Sequence, residues 1–285
     1  MLKQFKYKDV TWIDLESPTQ EELAKIGKTY KLHPLVLGEL ASESEHSKLD
    51  VYNDYIYLLL HFPGRKARQE IDFIIGQNFI ITTHYELVNS LNDFAKIFET
   101  DFSLKRSHDK IHAGYIFYYI IKEIYSNLET GLSLINKRLR NAEEQVFSGH
   151  EREMVEALSS LNRELLDYQW TMKAHREILT SLETVGEEFF GVKFRYYLQA
   201  ISGEDRKIWK VIESNRAAFN DLRSTNESLL SIKTNETMKV LTVVAFIFLP
   251  LNLVAQIFGD KKISFVLMAI LLIGGIWIVK SKKWL

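Results

Sequence analysis

The chain has 285 residues, with 36 lysines and arginines against 37 aspartates and glutamates, a net charge of −1, and no cysteine. So balanced a charge projects no basic field, which excludes bulk nucleic-acid binding. Without cysteine there are no disulfides and no thiolate metal sites, so a metal would meet oxygen or imidazole, the donors preferred by hard cations such as magnesium.

Met1 to Val10 carries charge without an apolar core, so no signal peptide is expected. Thr11 to Leu15 reads as a strand, and Ser17, Pro18 and Thr19 then start a helix at Glu21 and Glu22. A second short helix is expected after Pro34. Val51 to Phe62 and Ile71 to Thr83 are rich in Tyr, Ile, Phe and Thr, and Gly76, Gln77 and Asn78 divide the latter run into two paired strands. The region to about Tyr85 is therefore expected to form an α/β sheet domain.

From Leu87 onward the apolar residues take helical spacing. Tyr115 to Tyr125 is aromatic enough to resemble a membrane segment, but Lys122 and Glu123 interrupt it, and a buried helix face is the better reading. Ser148, Gly149 and His150 mark a turn between two antiparallel helices, the second ending near Glu183. Glu143, Glu144, Glu151, Arg152 and Glu153 crowd this turn and read as a solvated face. A break at Ser202 and Gly203 is expected to begin a last long helix, from about Glu204 to Phe258 and about 80 Å long.

Two uncharged apolar segments follow, Val240 to Gly259 and Ile263 to Val279, separated by Asp260, Lys261 and Lys262. A bilayer core of about 30 Å needs about 20 helical residues, so the first spans it comfortably and the second is marginal. Lipid offers the backbone no partners, so both are expected to be helices, joined as a tight hairpin. Lys233 and Lys239 precede the first, and Lys280, Lys282 and Lys283 follow the second, which places both termini in the cytoplasm. The expected division is a cytoplasmic α/β domain with a helical hairpin over 1–203 and a stalk helix over 204–238. Membrane helices then occupy 239–259 and 263–279, with an external loop at 260–262 and a cytoplasmic tail at 280–285.

Asn235, Met238, Thr242, Ala245, Leu249, Asn252 and Gln256 recur at alternating steps of three and four, the spacing of a coiled-coil seam. Amides facing lipid are unfavourable by about 1–3 kcal/mol, so Asn252 and Gln256 should face a pore or a neighbouring helix. Pro250 frees the carbonyl of Phe246 within this helix. His108 and His112 sit four apart, but no third ligand accompanies them, and a solvated or capping role is the simpler reading. No phosphate loop, nucleophile elbow or catalytic carboxylate pair occurs, so an enzyme is not expected.

Met238-Lys-Val-Leu-Thr-Val-Val-Ala-Phe-Ile-Phe-Leu-Pro-Leu251 followed by Ile257-Phe-Gly259 resembles the first membrane helix of CorA-type magnesium transporters. Trp12-Ile-Asp-Leu-Glu-Ser-Pro-Thr19, Glu21-Glu-Leu23, His33-Pro-Leu35, Asp54-Tyr-Ile56 and Asn78-Phe-Ile-Ile-Thr82 follow the same family's order. The resemblance implies an α+β cytoplasmic domain built as an α/β/α sandwich, a long stalk helix and two C-terminal transmembrane helices, assembled as a homopentameric funnel in the inner membrane. It implies passive passage of divalent cations, magnesium first and cobalt, nickel or zinc as alternatives. Magnesium is then cargo and a candidate regulatory ion, and no cofactor is expected. By position, Asn235, Met238, Leu241, Ala245, Leu249 and Asn252 resemble pore-lining residues. Periodicity selects nearly the same set, with Thr242 in place of Leu241, and adds Gln256. Rings of amides can hold a hydrated dication through its waters, avoiding the dehydration that magnesium resists.

The family signature after this helix is Gly-Met-Asn and an acidic loop, whereas this chain reads Gly259-Asp260-Lys261. Asn235, Asn252, Gln256 and Asp260 are thus the candidate ion-facing residues, and Gly259, Asp260 and Lys261 the candidate pore mouth. One lysine about 8 Å from a dication opposes entry by about 1 kcal/mol in a water-like dielectric, and one Asp260 offsets a similar amount. With one acid and two bases in the loop, an alternative expectation is a pentameric relative that has lost magnesium conduction and serves another ion or a scaffold role.

Overall fold

Runs of β-branched and aromatic residues without polar alternation make strands that are buried on both faces. Strands β4 (Tyr55–Pro63) and β5 (Arg68–Gly76) are of this kind. They join β1 (Leu2–Tyr7), β2 (Val10–Glu16), β3 (Lys48–Val51) and β6 (Phe79–His84) in one six-stranded sheet of order β1-β2-β6-β5-β4-β3. Strands β2 and β6 are parallel, with Ile13 opposite Ile81, and the other neighbours are antiparallel. The computed structural model describes residues 2–64, 68–101, 112–257 and 261–281.

On one face of the sheet, Ile13, Leu15, Tyr57, Leu59, Ile74 and Ile81 pack against Leu23 and Ile26 of α1 (Gln20–Tyr30) and Val36 of α2 (Pro34–Glu39). The side chain of Thr19 accepts from the backbone of Glu22 and the Glu22 carboxylate accepts from the backbone of Thr19, a capping box that fixes the start of α1. Pro34 opens α2 where a missing N–H does no harm. On the opposite face, Trp12 meets Phe94 and Phe98 of α3 (Asn89–Asp101) with ring centroids 5.3 and 5.7 Å apart. Phe73 and Phe62 meet Phe117 and Tyr125 of α4 (Ala113–Phe147) at 5.3 and 6.4 Å. Helices therefore cover both faces, the α/β/α arrangement that the family resemblance implies. The aromatic run Tyr115 to Tyr125 is the buried face of α4, with Ile116, Ile120 and Ile121 fully covered.

Helices α5 (Met154–Lys173), α6 (His175–Phe190), α7 (Arg195–Ile257) and α8 (Lys261–Ser281) complete the chain. Two compact units divide it, Met1–Ala142 with Glu156–Phe219 and Glu143–Val155 with Asn220–Leu285.

Three expectations need correction. The sequence reading assigns no element to Met1–Val10, whereas Leu2–Tyr7 forms β1, an edge strand whose Phe5 stacks on Trp12 at 4.7 Å. The second hairpin helix does not run unbroken to Glu183, since α5 stops at Lys173 and α6 continues to Phe190. The break expected at Ser202 and Gly203 lies earlier, at Gly191, whose φ of 91° is open to glycine. Gly203 is an ordinary helical residue with nothing within 4 Å of where a Cβ would stand, and the Ser202 hydroxyl is held by the Glu183 carboxylate. Helix α7 thus has 63 residues, a length of about 95 Å.

Candidate functional site

Among the described residues, one helix, α7, is long and apolar enough to cross a membrane, with a mean hydropathy of 2.0 over its most apolar stretch and 6% of that stretch buried. Large side chains such as Leu241, Phe246, Phe248, Leu249 and Leu253 stand exposed there. So much contiguous apolar surface requires a cover of lipid or protein. The 21 residues of α8, carrying no charge between Ile263 and Val279, are also about one bilayer core in length.

Covered positions on this part of α7 form one stripe. Among the described side chains from Ser231 to Gln256, only Val243, Ile247, Pro250, Leu251 and Val254 are shielded. Gly275 of α8 is buried against it, since a Cβ there would lie 3.3 Å from Cγ1 of Ile247. A small residue at that point lets the two backbones approach closely.

At about 100° per residue, Asn235, Met238, Thr242, Ala245, Leu249, Asn252 and Gln256 centre about 155° from the shielded stripe. Each of the seven is exposed, and so is Leu241. Leu241 and Thr242 flank the seam's centre on opposite sides, which explains why periodicity and family position chose differently between them. The Thr242 hydroxyl donates to the carbonyl of Met238 at 2.7 Å, so this residue satisfies its own polar group within the helix. The amides of Asn252 and Gln256 sit one turn apart on the side away from α8. Gly259 and Asp260 lie outside the described residues; Lys261 is the first residue of α8.

Just before the seam, the structure brings together a pair that the sequence did not reveal. Lys233 donates to the carbonyl of Gly149 at 3.0 Å and to the carboxylate of Glu151 at 2.5 Å. Glu151 is therefore not part of a solvated face, although Glu143, Glu144, Arg152 and Glu153 are exposed as expected. It is covered locally by the turn and by Lys233, without deep burial, and the Lys233 ammonium holds its carboxyl below the usual carboxylate range. No local pattern signals this contact, since the partners are 82 residues apart.

His112 is half-buried rather than solvated and stands immediately before α4, where its carbonyl accepts from the N–H of Tyr115 at 3.1 Å. Its ring lies 4.4–4.8 Å from those of Tyr115, Phe190 and Phe194, while His108 lies outside the described residues. Among the described residues no cluster of three or more His, Asp or Glu has the geometry to hold a metal ion.

Comparison with known proteins places this geometry. The chain is 28% identical over 255 residues to YfjQ of Bacillus subtilis, provisionally assigned as a metal ion transporter, across 87% of this chain and 77% of the relative. It is 24% identical over 295 residues to the cobalt/magnesium transport protein CorA of Thermotoga maritima, across 96% and 83% of the two chains. The complete structure of the CorA magnesium transporter from Methanocaldococcus jannaschii superposes with a TM-score of 0.84 at 20% identity, covering 99% of this chain and 93% of the other, which establishes the fold. Residues 7–260 match the model of one family, and the chain accordingly belongs to the CorA-like Mg2+ transporter proteins.

Proposed function

We propose that this protein carries divalent metal cations across a membrane, with magnesium the leading candidate and cobalt, nickel and zinc alternatives. The observation that carries the reading is the amide-bearing seam of α7, exposed and turned away from the stripe against which α8 packs. If α8 separates α7 from lipid on one side, the opposite side of α7 is free to face its counterparts in neighbouring copies. In a homopentamer these faces enclose a pore lined by Asn235, Met238, Leu241, Thr242, Ala245, Leu249, Asn252 and Gln256. The relatives named for cobalt, magnesium or metal ion transport support the cargo.

Passage is passive in this reading. Five Asn252 and five Gln256 side chains offer carbonyl oxygens and N–H groups to the water shell of a dication, and the ion need not shed that shell. With α7 and α8 both spanning, the bulk of the chain and both termini lie in the cytoplasm of an inner-membrane protein, as the flanking Lys233, Lys239 and Lys280 favour.

The reading is tested in liposomes loaded with a magnesium-sensitive dye and held inside-negative, with magnesium, cobalt, nickel and zinc offered in parallel. Entry that is abolished by Asn252→Leu supports it. A second reading rests on the link Asp260-Lys261-Lys262, whose formal charge is +1 per copy. A relative that conducts no magnesium would give intact oligomers and silence for that ion.

A further inference from the structure

From Ser231 to Thr242 every side chain of α7 is exposed, a run of about three turns that carries Asn235, Met238 and Thr242, the head of the seam. The hydroxyls of Thr234, Thr237 and Thr242 donate to carbonyls of α7 itself. Among the described residues, Lys233 alone gives this run hydrogen bonds to another element, at 3.0 Å to the Gly149 carbonyl and 2.5 Å to the Glu151 carboxylate. The two bonds clasp α7 to the turn between α4 and α5.

The turn is shaped to receive an ammonium. Gly149 has a φ of 94°, a conformation that favours glycine. The N–H groups of Ser148, Gly149 and His150 donate to the carbonyls of Glu144, Val146 and Gln145, which closes the end of α4 within the turn. The carbonyl of Gly149 itself is left for Lys233, and Glu151 adds a charge-assisted bond to the same ammonium.

The place of the clasp on the helix decides what it can do. Asn226, Lys233, Ile247 and Val254 differ by multiples of seven, and each heptad returns the helix to within about 20° of the same side. Asn226 is buried, and Ile247 and Val254 belong to the stripe shielded beside α8. Lys233 therefore lies about 150° around α7 from the centre of the seam. A tether on that side fixes the rotation of α7 about its own axis where the seam begins, and the contact of Ile247 with α8 fixes it about four turns further on. With the clasp open, a rotation of about 50° at this level would aim Asn235 and Met238 away from the seam and bring Glu236 and Lys239 towards it.

We propose that Lys233 is a positioning residue for the ion path, holding the head of the seam in register through its clasp on Gly149 and Glu151. The proposal rests on the transport reading above. The clasp acts through geometry rather than charge, since Lys233 and Glu151 neutralise each other on the side of α7 away from the path.

The test follows magnesium influx into dye-loaded liposomes containing the full chain, with oligomer size checked for each variant. Lys233→Met removes the donor, Glu151→Ala removes one acceptor, and Gly149→Ala strains the turn without changing any charge; each should lower influx several-fold. The double variant Lys233→Met/Glu151→Ala should lower it no further than Lys233→Met alone, since one clasp opens only once. Lys233→Arg keeps donors for both acceptors and should retain most of the influx, as should Glu153→Ala at an exposed acid of the same turn. Influx raised by Lys233→Met and lowered by Glu151→Ala would show net charge in control and overturns the proposal, as do additive losses in the double variant. Because the chain has no cysteine, Glu151→Cys/Lys233→Cys adds a readout independent of flux. A cleavable bifunctional thiol reagent of lysine–glutamate span should bridge the pair within one copy and restore influx, and reductant should reverse both. No bridge, a bridge joining two copies, or a bridge that restores nothing overturns the proposal. A bridge within one copy beside wild-type silence for every ion would instead refute transport, and with it the positioning role, while leaving the clasp as a contact of the fold.

Discussion

Asn252→Leu exchanges an amide for a side chain of similar size on the side of α7 away from the shielded stripe. Asn252 lies about 155° around α7 from the mean of Val243, Ile247, Pro250, Leu251 and Val254, so the new methyl groups do not reach the face that packs on α8. If the amides hold a hydrated dication, the substitution removes hydrogen bonds to water polarised by a charge, each contributing about 1.5–3 kcal/mol. Losing the equivalent of one such bond lowers occupancy by about 10- to 150-fold, before counting the other copies of the ring. Magnesium influx into dye-loaded liposomes is the assay, with Val244→Leu, exposed but well off the seam, as the control expected to leave influx unchanged. If Asn252 instead bonds a neighbouring helix, oligomer stability should fall, by roughly 0.6–1.7 kcal/mol per bond, while the pore keeps its polar lining from Gln256. Influx within about twofold of the wild type from an intact oligomer would refute the seam as the ion path.

Gly203→Ala should stabilise the protein by about 0.5–1 kcal/mol, because the position is helical and open; a drop in the denaturant midpoint would mean that the helix breaks there after all. Gly186→Val should destabilise by about 1–3 kcal/mol, since a Cβ would stand 2.7 Å from Cδ1 of Leu198 and wedge α6 away from α7; an unchanged melting temperature would argue against that packing. His175 gives a pH dependence of definite sign. Its pKa falls from 6.5 to about 4 on folding, so the unfolded chain takes up the proton first, and stability is lost as pH drops through that window, by up to about 3 kcal/mol. Asp205 acts oppositely, since its raised pKa makes stability fall as pH rises from about 4 to about 6. The two slopes offset each other in the wild type, so the profiles of His175→Gln and Asp205→Asn, read by thermal unfolding, should tilt in opposite directions. Parallel profiles would contradict both assignments.

The sheet domain was legible wherever local chemistry and global fold agree. Thr19 with Glu22, Pro34, and the Gly76-Gln77-Asn78 turn each specify a boundary through neighbours a few residues away, and each boundary stands where expected. The errors fell where a residue type has two meanings. Ser202-Gly203 has the composition of a break, yet a glycine in mid-helix costs only about 1 kcal/mol against alanine, and the many contacts of a 63-residue helix outweigh it. Gly191, which does end α6, carries no stronger local signal; its φ of 91° is a fact of tertiary structure.

The same distinction separates the seam of α7 from the buried contacts of the sheet domain. The seam was chosen because lipid imposes a rule on every residue of a membrane helix: an amide must have a reason to be there, and Asn252 and Gln256, one turn apart, would share one. Which side of α7 they occupy was not legible, since that depends on where α8 lies, and the proximity of Gly275 to Ile247 supplies it. The contacts from Tyr125 to His175 and on to the carbonyl of His61 obey no sequence rule at all. They join β4, α4 and α6 across 50 and 114 residues of sequence, and no member is unusual alone. A buried tyrosine normally finds an acceptor and a buried histidine normally finds a carbonyl. Tyr125 and His175 meet these demands through each other and through the carbonyl of His61, and no local pattern records either contact.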